Sequence, residues 1–339
     1  MTSCSGYGKG AGKNMEWTGW LTDYYHRHTE EYFRNALKEN GLPGDMITEK
    51  TIIGEMEYTQ YRYVCGEEGI LTGGICFEDL KKLCESTEED VEPEELVNVL
   101  CGAWVDEYHF MEENRERLFQ KDIAKYLFPV MMNTKLNENL LHEMPHVKKG
   151  EYSVALRLGI PVEGEKGMTI HVSNKMLESW GIGLDEAMEM AVHNQWFVEQ
   201  CTVISDSELV QKMNQQAVKE FGGIFQFVEP EEETGFMIYG RYVPCAAILL
   251  NEEFAEEIHK KMGGDFLVAF FGTGEVQICR DEGNIEDLQI DLEVKNELYG
   301  FSWNMVSDQI FRYTKERGLE PASGMEKEKQ RVGEPALKR

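Results

Sequence analysis

The sequence predicts an α+β protein: a helical N-terminal part followed by a mixed α/β part with short, largely antiparallel strands. Three observations point there. Apolar residues recur at three- and four-residue steps over long stretches before Pro145. After Pro145, short apolar runs bounded by Gly, Pro and Asn alternate irregularly with helical segments. That irregular order is unlike the regular alternation of a parallel-sheet fold. The chain has 339 residues, 42% hydrophobic and 11% aromatic, which is enough for a core and unlike an aromatic-poor disordered chain. The expected organisation is a flexible leader at 1–14, a mainly helical region at 15–144, a mixed α+β domain at 145–317 and a disordered tail at 318–339. Met15, where the first structured pattern begins, is a second candidate start.

Each element has its own signal. Trp17, Trp20, Tyr24, Tyr32, Phe33 and Leu37 mark one face of a helix over 16–40, ended by Gly41-Leu-Pro-Gly44. Residues 51–76 read as extended, with a turn at Gly66 to Gly69, and Phe77 to Cys84 as a short helix. The acidic run Glu85 to Glu95 opens another helix, with Pro93 in its first turn and carboxylates at the positive end of the helix dipole. Leu96, Val97, Leu100, Trp104 and Val105 form its core face. A helix bent at Pro129 is expected over 122–141.

Beyond Pro145, Tyr152 to Ile160 and Met168 to Val172 read as strands, and Asn174 to Trp180 and Leu184 to Val198 as helices. Ser205 and Glu208 match a capping box for a helix to about Lys219. Ile224 to Val228 and Phe236 to Tyr239 read as a hairpin, and Ala246 to Leu250 as a buried strand. Asn251 caps a helix that Gly263-Gly264 ends, and a hairpin turns at Gly272-Thr-Gly274. Helices are expected over 285–298 and 305–316.

Lys and Arg number 34 against 62 Asp and Glu, a formal charge of −28. Such a chain lacks the basic face that open, non-specific nucleic-acid binding needs, and anionic lipid repels it. No apolar run reaches the roughly 18 residues of a membrane span, and the N-terminus lacks the apolar stretch of a secretory signal. Eight cysteines stand at irregular spacings without a C-x-x-C pair, which suits reduced thiols buried in a cytoplasmic protein.

His142-Glu143-Met144-Pro145-His146 is literally H-E-x-x-H, the pattern that in a helix points two imidazoles at one metal. Pro145 works against it: proline removes a helix hydrogen bond and pushes Met144 out of the helical region. The expectation is a helix that ends at Met144, with Pro145-His146 turning the chain into the first strand. The leader Gly6 to Lys13 lacks the glycine, the hydroxyl and the preceding strand of a phosphate loop. His26 and His28 read as solvated, His171 and His193 as half-buried and hydrogen-bonded, and Met176, Met188 and Met190 as core filler. There is no G-x-S-x-G elbow.

One ordered set of segments resembles a known family. Asn133-Thr-Lys-Leu-Asn-Glu-Asn-Leu-Leu-His-Glu-Met-Pro-His146 matches N-x-x-x-N-x-x-L-L-x-x-x-P-H. Ile170 to Gly181, Leu184 to Ala187, Ala191 to Asn194, Cys245 to Leu250, Met262 to Phe266, Val306-Ser-Asp308 and Tyr313 follow in order. Over roughly 110–316 the chain thus resembles Domain of Unknown Function family 5688, common in anaerobic Gram-positive bacteria, which implies no assigned activity. Family members continue after the Asp-Phe pair with a Pro-Ser-Ser-x-His-Glu-Val segment. Here Phe270-Phe-Gly-Thr-Gly-Glu-Val276 keeps only Glu275 and Val276, so any reactive Ser/His cluster of relatives is lost. In relatives the first His of the H-E-x-x-H match is often another residue.

With no surviving catalytic constellation, the sequence reads as a non-enzymatic binding or regulatory module of the cytoplasm that engages a protein partner, without a cofactor. Two alternatives stand beside it: a metal-dependent hydrolase using His142, Glu143 and His146, and an acidic nucleic-acid mimic.

Overall fold

The computed structural model describes residues 19–42, 45–53, 56–65, 70–77, 79–80, 93–160, 168–221, 227–228, 235–241, 243–299 and 304–322. The leader, the Gly66 to Gly69 turn, most of the acidic run and the end of the tail lie outside them. The chain divides into two compact units, Met1–Glu113 and Asn114–Arg339. The division falls ahead of 144/145 because residues 114–144 supply a strand to the second unit's own sheet.

The first unit contains α1 (Gly19–Glu39), β1 (Asp45–Ile53), β2 (Met56–Cys65), β3 (Ile70–Cys76) and α2 (Pro93–Glu113). The strands form an antiparallel sheet in chain order. Phe33 of α1 stacks on Trp104 of α2 at 5.1 Å between ring centroids, and Tyr61 and Tyr63 of β2 join them in a buried cluster. Stacked rings of this kind add about 0.5–1.5 kcal/mol to the area they bury. Glu30 of α1 pairs with Arg34 and accepts from Thr48 Oγ1 of β1 at 2.7 Å, fixing helix to sheet.

The second unit begins with α3 (Arg115–Leu118), a 3₁₀ turn (Lys121–Tyr126), β4 (Leu127–Asn133), α4 (Glu138–Glu143), β5 (His146–Lys149), β6 (Tyr152–Ile160) and β7 (Met168–His171). β6 is central: β4 runs along one side and β5 and β7 share the other, all antiparallel. Then come α5 (Asn174–Trp180), α6 (Leu184–Val192), α7 (Gln195–Gln200), β8 (Cys201–Ser205), α8 (Asp206–Phe221) and β9 (Gly235–Gly240). A second 3₁₀ helix (Ala246–Leu250), α9 (Glu252–Met262), β10 (Phe266–Phe270), β11 (Glu275–Arg280), α10 (Ile285–Tyr299), β12 (Phe311–Thr314) and β13 (Gly318–Pro321) complete it. The six later strands form one antiparallel sheet, ordered β13-β12-β10-β11-β9-β8.

The main core lies between these two sheets. Phe128 and Met131 of β4 and Tyr152 and Val154 of β6 share one cluster with Phe266, Val268 and Phe270 of β10. The ring edge of Tyr152 meets Phe311 at 5.5 Å, and Phe311 meets Phe270 at 5.3 Å. On the far side of the six-stranded sheet, Leu267, Ala269 and Cys279 pack beneath Leu288 and Leu292 of α10. All five residues of β10 are therefore buried, which is why its sequence, Phe-Leu-Val-Ala-Phe, is apolar without alternation.

Several local signals act as read. Asn251 Oδ1 accepts the Phe254 N–H at 2.9 Å, capping α9, and Gly263 ends it in the left-handed region at φ +79°. The Ser205/Glu208 box closes in both directions, each hydrogen bond 3.2 Å long.

Other expectations are corrected. The bent helix over 122–141 is a 3₁₀ turn, a strand and a short helix. Pro129 breaks helical pairing outright and is tolerated in β4, whose one ladder partner is β6. Residues 311–314 form a strand, not part of a helix: Phe311 and Tyr313 point inward, while Arg312 turns away to Asp281 at 2.6 Å. The Ala246 to Leu250 strand is a 3₁₀ helix; a short buried apolar run carries no period that separates the two. β8 and β11 take both edges of β9, and residues 224–226 of the expected hairpin lie outside the described residues. The helix over 184–198 breaks at Asn194. Of the tail expected to be disordered, Gly318–Pro321 is a strand on the sheet edge.

Gly159 of β6 lies directly under the Trp196 ring, so an added Cβ would collide with it. Gly159→Ala is expected to destabilise the protein by about 1–3 kcal/mol, the usual range for overpacking. Gly102, in α2 with open space around it, gives the opposite sign: Gly102→Ala is expected to stabilise by about 0.5–1 kcal/mol. Chemical denaturation of the two variants checks both.

Candidate functional site

The H-E-x-x-H residues do not share a helix face. α4 stops at Glu143, and Met144 is already extended. His142 and Glu143 are exposed on its last turn, whereas half-buried His146 opens β5. The His146 Nδ1–H donates to the Met144 carbonyl at 3.0 Å, and the His142 carbonyl accepts from Asn174 Nδ2 at 3.0 Å. Among the described residues, no group of three or more His, Cys, Asp and Glu side chains could hold a metal ion.

A polar arrangement lies elsewhere, where the loop after β4 meets the loop before β12. Asn133 organises the first loop: its Oδ1 accepts the Lys135 and Leu136 N–H groups, both at 3.1 Å. Its backbone N–H donates to Met305 O at 3.0 Å and its Nδ2 to Val306 O at 3.4 Å, tying it to the second loop. Glu151, in the β5–β6 turn, stands between the loops. Ser307 Oγ donates to its Oε2 at 3.0 Å and Gln309 Nε2 to its Oε1 at 2.7 Å. The Glu151 carbonyl accepts the Thr134 N–H at 2.8 Å, and Thr134 Oγ1 pairs with Ser153 Oγ in the buried layer below. Gln289 and Asn296 of α10 brace the outer loop by donating to the Asp308 and Ser307 carbonyls.

The electrostatics are those of a crowded carboxylate. Burial, and after it the charge of Asp308, raises the Glu151 carboxyl above its ordinary range; the Ser307 hydroxyl and Lys135 pull the other way. The environment therefore favours the protonated form of Glu151 more than water does. Ser307 is fully buried, donates its hydroxyl hydrogen bond to Glu151 and accepts the Gln309 N–H at 3.1 Å, which makes it a strut.

Other residues of the family-like segments also grip backbone. Asn194 Nδ2 donates to Lys125 O and Leu127 O at 3.1 and 2.6 Å, while its Oδ1 accepts the Trp196 N–H. Trp180 Nε1 donates to Leu118 O at 2.9 Å, and Ser173 caps α5. Asp265 meets His259 Nε2 at 3.2 Å, Tyr313 stacks on Phe266 at 4.8 Å, and the His259 ring stands edge-on to Tyr313.

The remaining histidines differ from expectation. His171 is half-buried, but its Nδ1 has no hydrogen-bond partner; burial and the neighbouring Arg157 hold its pKa well below the usual imidazole range. His193 is exposed at the end of α6. Met176 is buried and Met188 packs against the main core, but Met190 is exposed. The thiols of Cys101, Cys201, Cys245 and Cys279 are free. Burial raises all four pKa values, Cys101 and Cys201 to about 12 and Cys279 to about 11, which suits inert core thiols.

Sequence reasoning singled out Asn133 and Ser307 as family-like but missed Glu151 and Gln309. Glu151 lies 156 residues from Ser307 along the chain, and nothing local marks it.

Two outcomes are expected. Asn133→Ala and Asn194→Ala each leave backbone groups unpaired and should cost about 1–3 kcal/mol each in denaturation. A raised carboxyl contributes stability that is complete below the unfolded-state pKa, about 4.3 for Glu, and is lost as pH rises through the folded value. The Glu151 contribution should therefore grow as pH falls from neutrality toward that value. Asp308→Asn should flatten this slope, measured as melting temperature against pH.

No curated protein and no solved structure matches the chain. The profile of a family of unknown function, DUF5688, matches residues 79–297, starting earlier than the resemblance read from the sequence and ending before Val306. That stretch holds Asn133, Glu151, Ser173, Trp180, Asn194 and Asp265, and by that match the chain belongs to the family of unknown function DUF5688.

Proposed function

We propose that this protein is a non-enzymatic binding or regulatory module of the cytoplasm that engages a protein partner. One observation supports this above others: several polar side chains of the family-like segments are committed to holding backbone. Asn133, Asn194 and Trp180 grip loop carbonyls, and Ser307 is fully buried against Glu151. Such side chains build shape, and recognition then falls to the outer surface, where a chain of formal charge −28 presents carboxylates. That charge also opposes direct, non-specific nucleic-acid binding and docking on anionic membranes. Among the described residues, no helix is long and apolar enough to cross a membrane.

The hydrolase alternative would need His142, Glu143 and His146 to gather around a metal, against the end of α4 at Glu143. Elemental analysis of the purified, untagged protein after dialysis decides between the two. Zinc and iron are expected far below one per chain, with no metal-dependent hydrolysis of ester or peptide substrates. Near-stoichiometric metal that supports turnover and is lost in His146→Ala would overturn the binding-module reading.

A further inference from the structure

α10 is apolar on two sides. Leu288 and Leu292 are buried against β10 and β11 and close the far face of the six-stranded sheet. Ile290 and Val294, one helical turn apart, point the other way and are 58% and 49% exposed. Two β-branched residues have weak helix propensity and add nothing to solubility at exposed positions. Their surroundings are uniform in charge. Glu286, Asp287 and Glu293 stand three or four residues from Ile290, and Asp291 and Glu297 stand three from Val294, the spacing at which helical side chains are neighbours. All five are exposed, and among the described residues none makes an ion pair. The single base of the helix, Lys295, is engaged elsewhere: it pairs with Glu275 at 3.1 Å and lies over the Phe271 ring.

We propose that the Ile290/Val294 face of α10 is a docking surface for a basic amphipathic helix of a protein partner. The apolar pair would seat the partner's apolar stripe, as one helical ridge packs against another. The five carboxylates would meet lysines and arginines flanking that stripe, which selects the partner by charge. A second copy of this chain is disfavoured, because a two-fold contact sets the carboxylate ring against itself. The inference rests on the partner-binding reading above and names the chemistry of the partner.

The probe is a fluorescein-labelled Leu/Lys amphipathic helix of about 18 residues, long enough to fold on contact. A Leu/Glu peptide with the same apolar pattern and a Ser/Lys peptide serve as comparators. Fluorescence anisotropy with the full chain is expected to show saturable binding of the Leu/Lys peptide alone. Ile290→Ser with Val294→Ser should weaken it by about tenfold, the effect of losing two apolar contacts. Asp291→Asn with Glu297→Gln should weaken it by a similar factor and flatten its salt dependence. Glu253→Gln with Glu257→Gln, the same charge change on exposed positions of α9, should leave it within about twofold, as expected for a distant site. Circular dichroism confirms that each variant folds.

Equal losses from both charge pairs would overturn the proposal, as would binding of the Leu/Glu peptide. So would binding that ignores the Ile290/Val294 change, a result that favours the nucleic-acid mimic. Absence of saturable binding overturns the assignment to α10 alone; bound metal with turnover overturns the reading beneath it.

Discussion

The second unit depends on the burial of β10 from both sides. A strand of five apolar residues with neighbours in the sheet on both edges can be stable only if both faces are covered. Phe266, Val268 and Phe270 are covered by the four-stranded sheet and the Ala246–Leu250 segment, and Leu267 and Ala269 by α10. Each cover then needs an anchor of its own. β4 and β6 are held by the Asn133 and Glu151 contacts to the loop before β12, and α10 by Gln289 and Asn296 on that same loop. One loop, 305–310, thus braces the covers of both faces. That explains why so many hydrogen bonds converge on it without a substrate-sized opening being required.

Much of this architecture was legible from the sequence wherever the signal was local. Caps declare themselves within four residues, so Asn251, Gly263 and the Ser205/Glu208 box were readable, and the turn at Gly272-Thr-Gly274 likewise. The misreadings share a cause: in each, a short apolar run took its conformation from distant partners. Residues 127–133 are a strand because β6 offers a ladder. Residues 311–314 are a strand because Phe266 to Val268 lie alongside them. The run 246–250 is a 3₁₀ helix because it fills space beneath β4 and β9 without joining a sheet. Periodicity over four or five residues does not separate these outcomes.

The polar clasp was legible only by halves. Asn133 and Ser307 belonged to segments that already resembled a family, but nothing in the sequence said that Asn133 reaches the Val306 carbonyl 173 positions away. Glu151 carried no mark at all, since a glutamate beside a glycine in a turn is ordinary. Its raised carboxyl arises from burial and from Asp308, both products of the fold. The H-E-x-x-H match shows the converse. It is a local pattern whose chemistry needs a continuous helix, and one proline, itself local, breaks that continuity.

The two-sided character of α10 follows from these constraints. Covering Leu267, Ala269 and Cys279 requires only one apolar stripe, which Leu288 and Leu292 supply. Packing on the sheet therefore does not account for Ile290 and Val294, and burial within the unit does not either, since both remain about half exposed. Glu286 and Asp287 suit the N-terminal end of the helix dipole and Glu293 accepts from Gln289, but among the described residues none of the five carboxylates makes an ion pair, and Glu293, Asp291 and Glu297 repel one another along the helix. A helix that carries both features keeps an apolar strip available to a partner, while its charge discourages self-association and anionic surfaces. The same helix, through Gln289 and Asn296, holds the 305–310 loop.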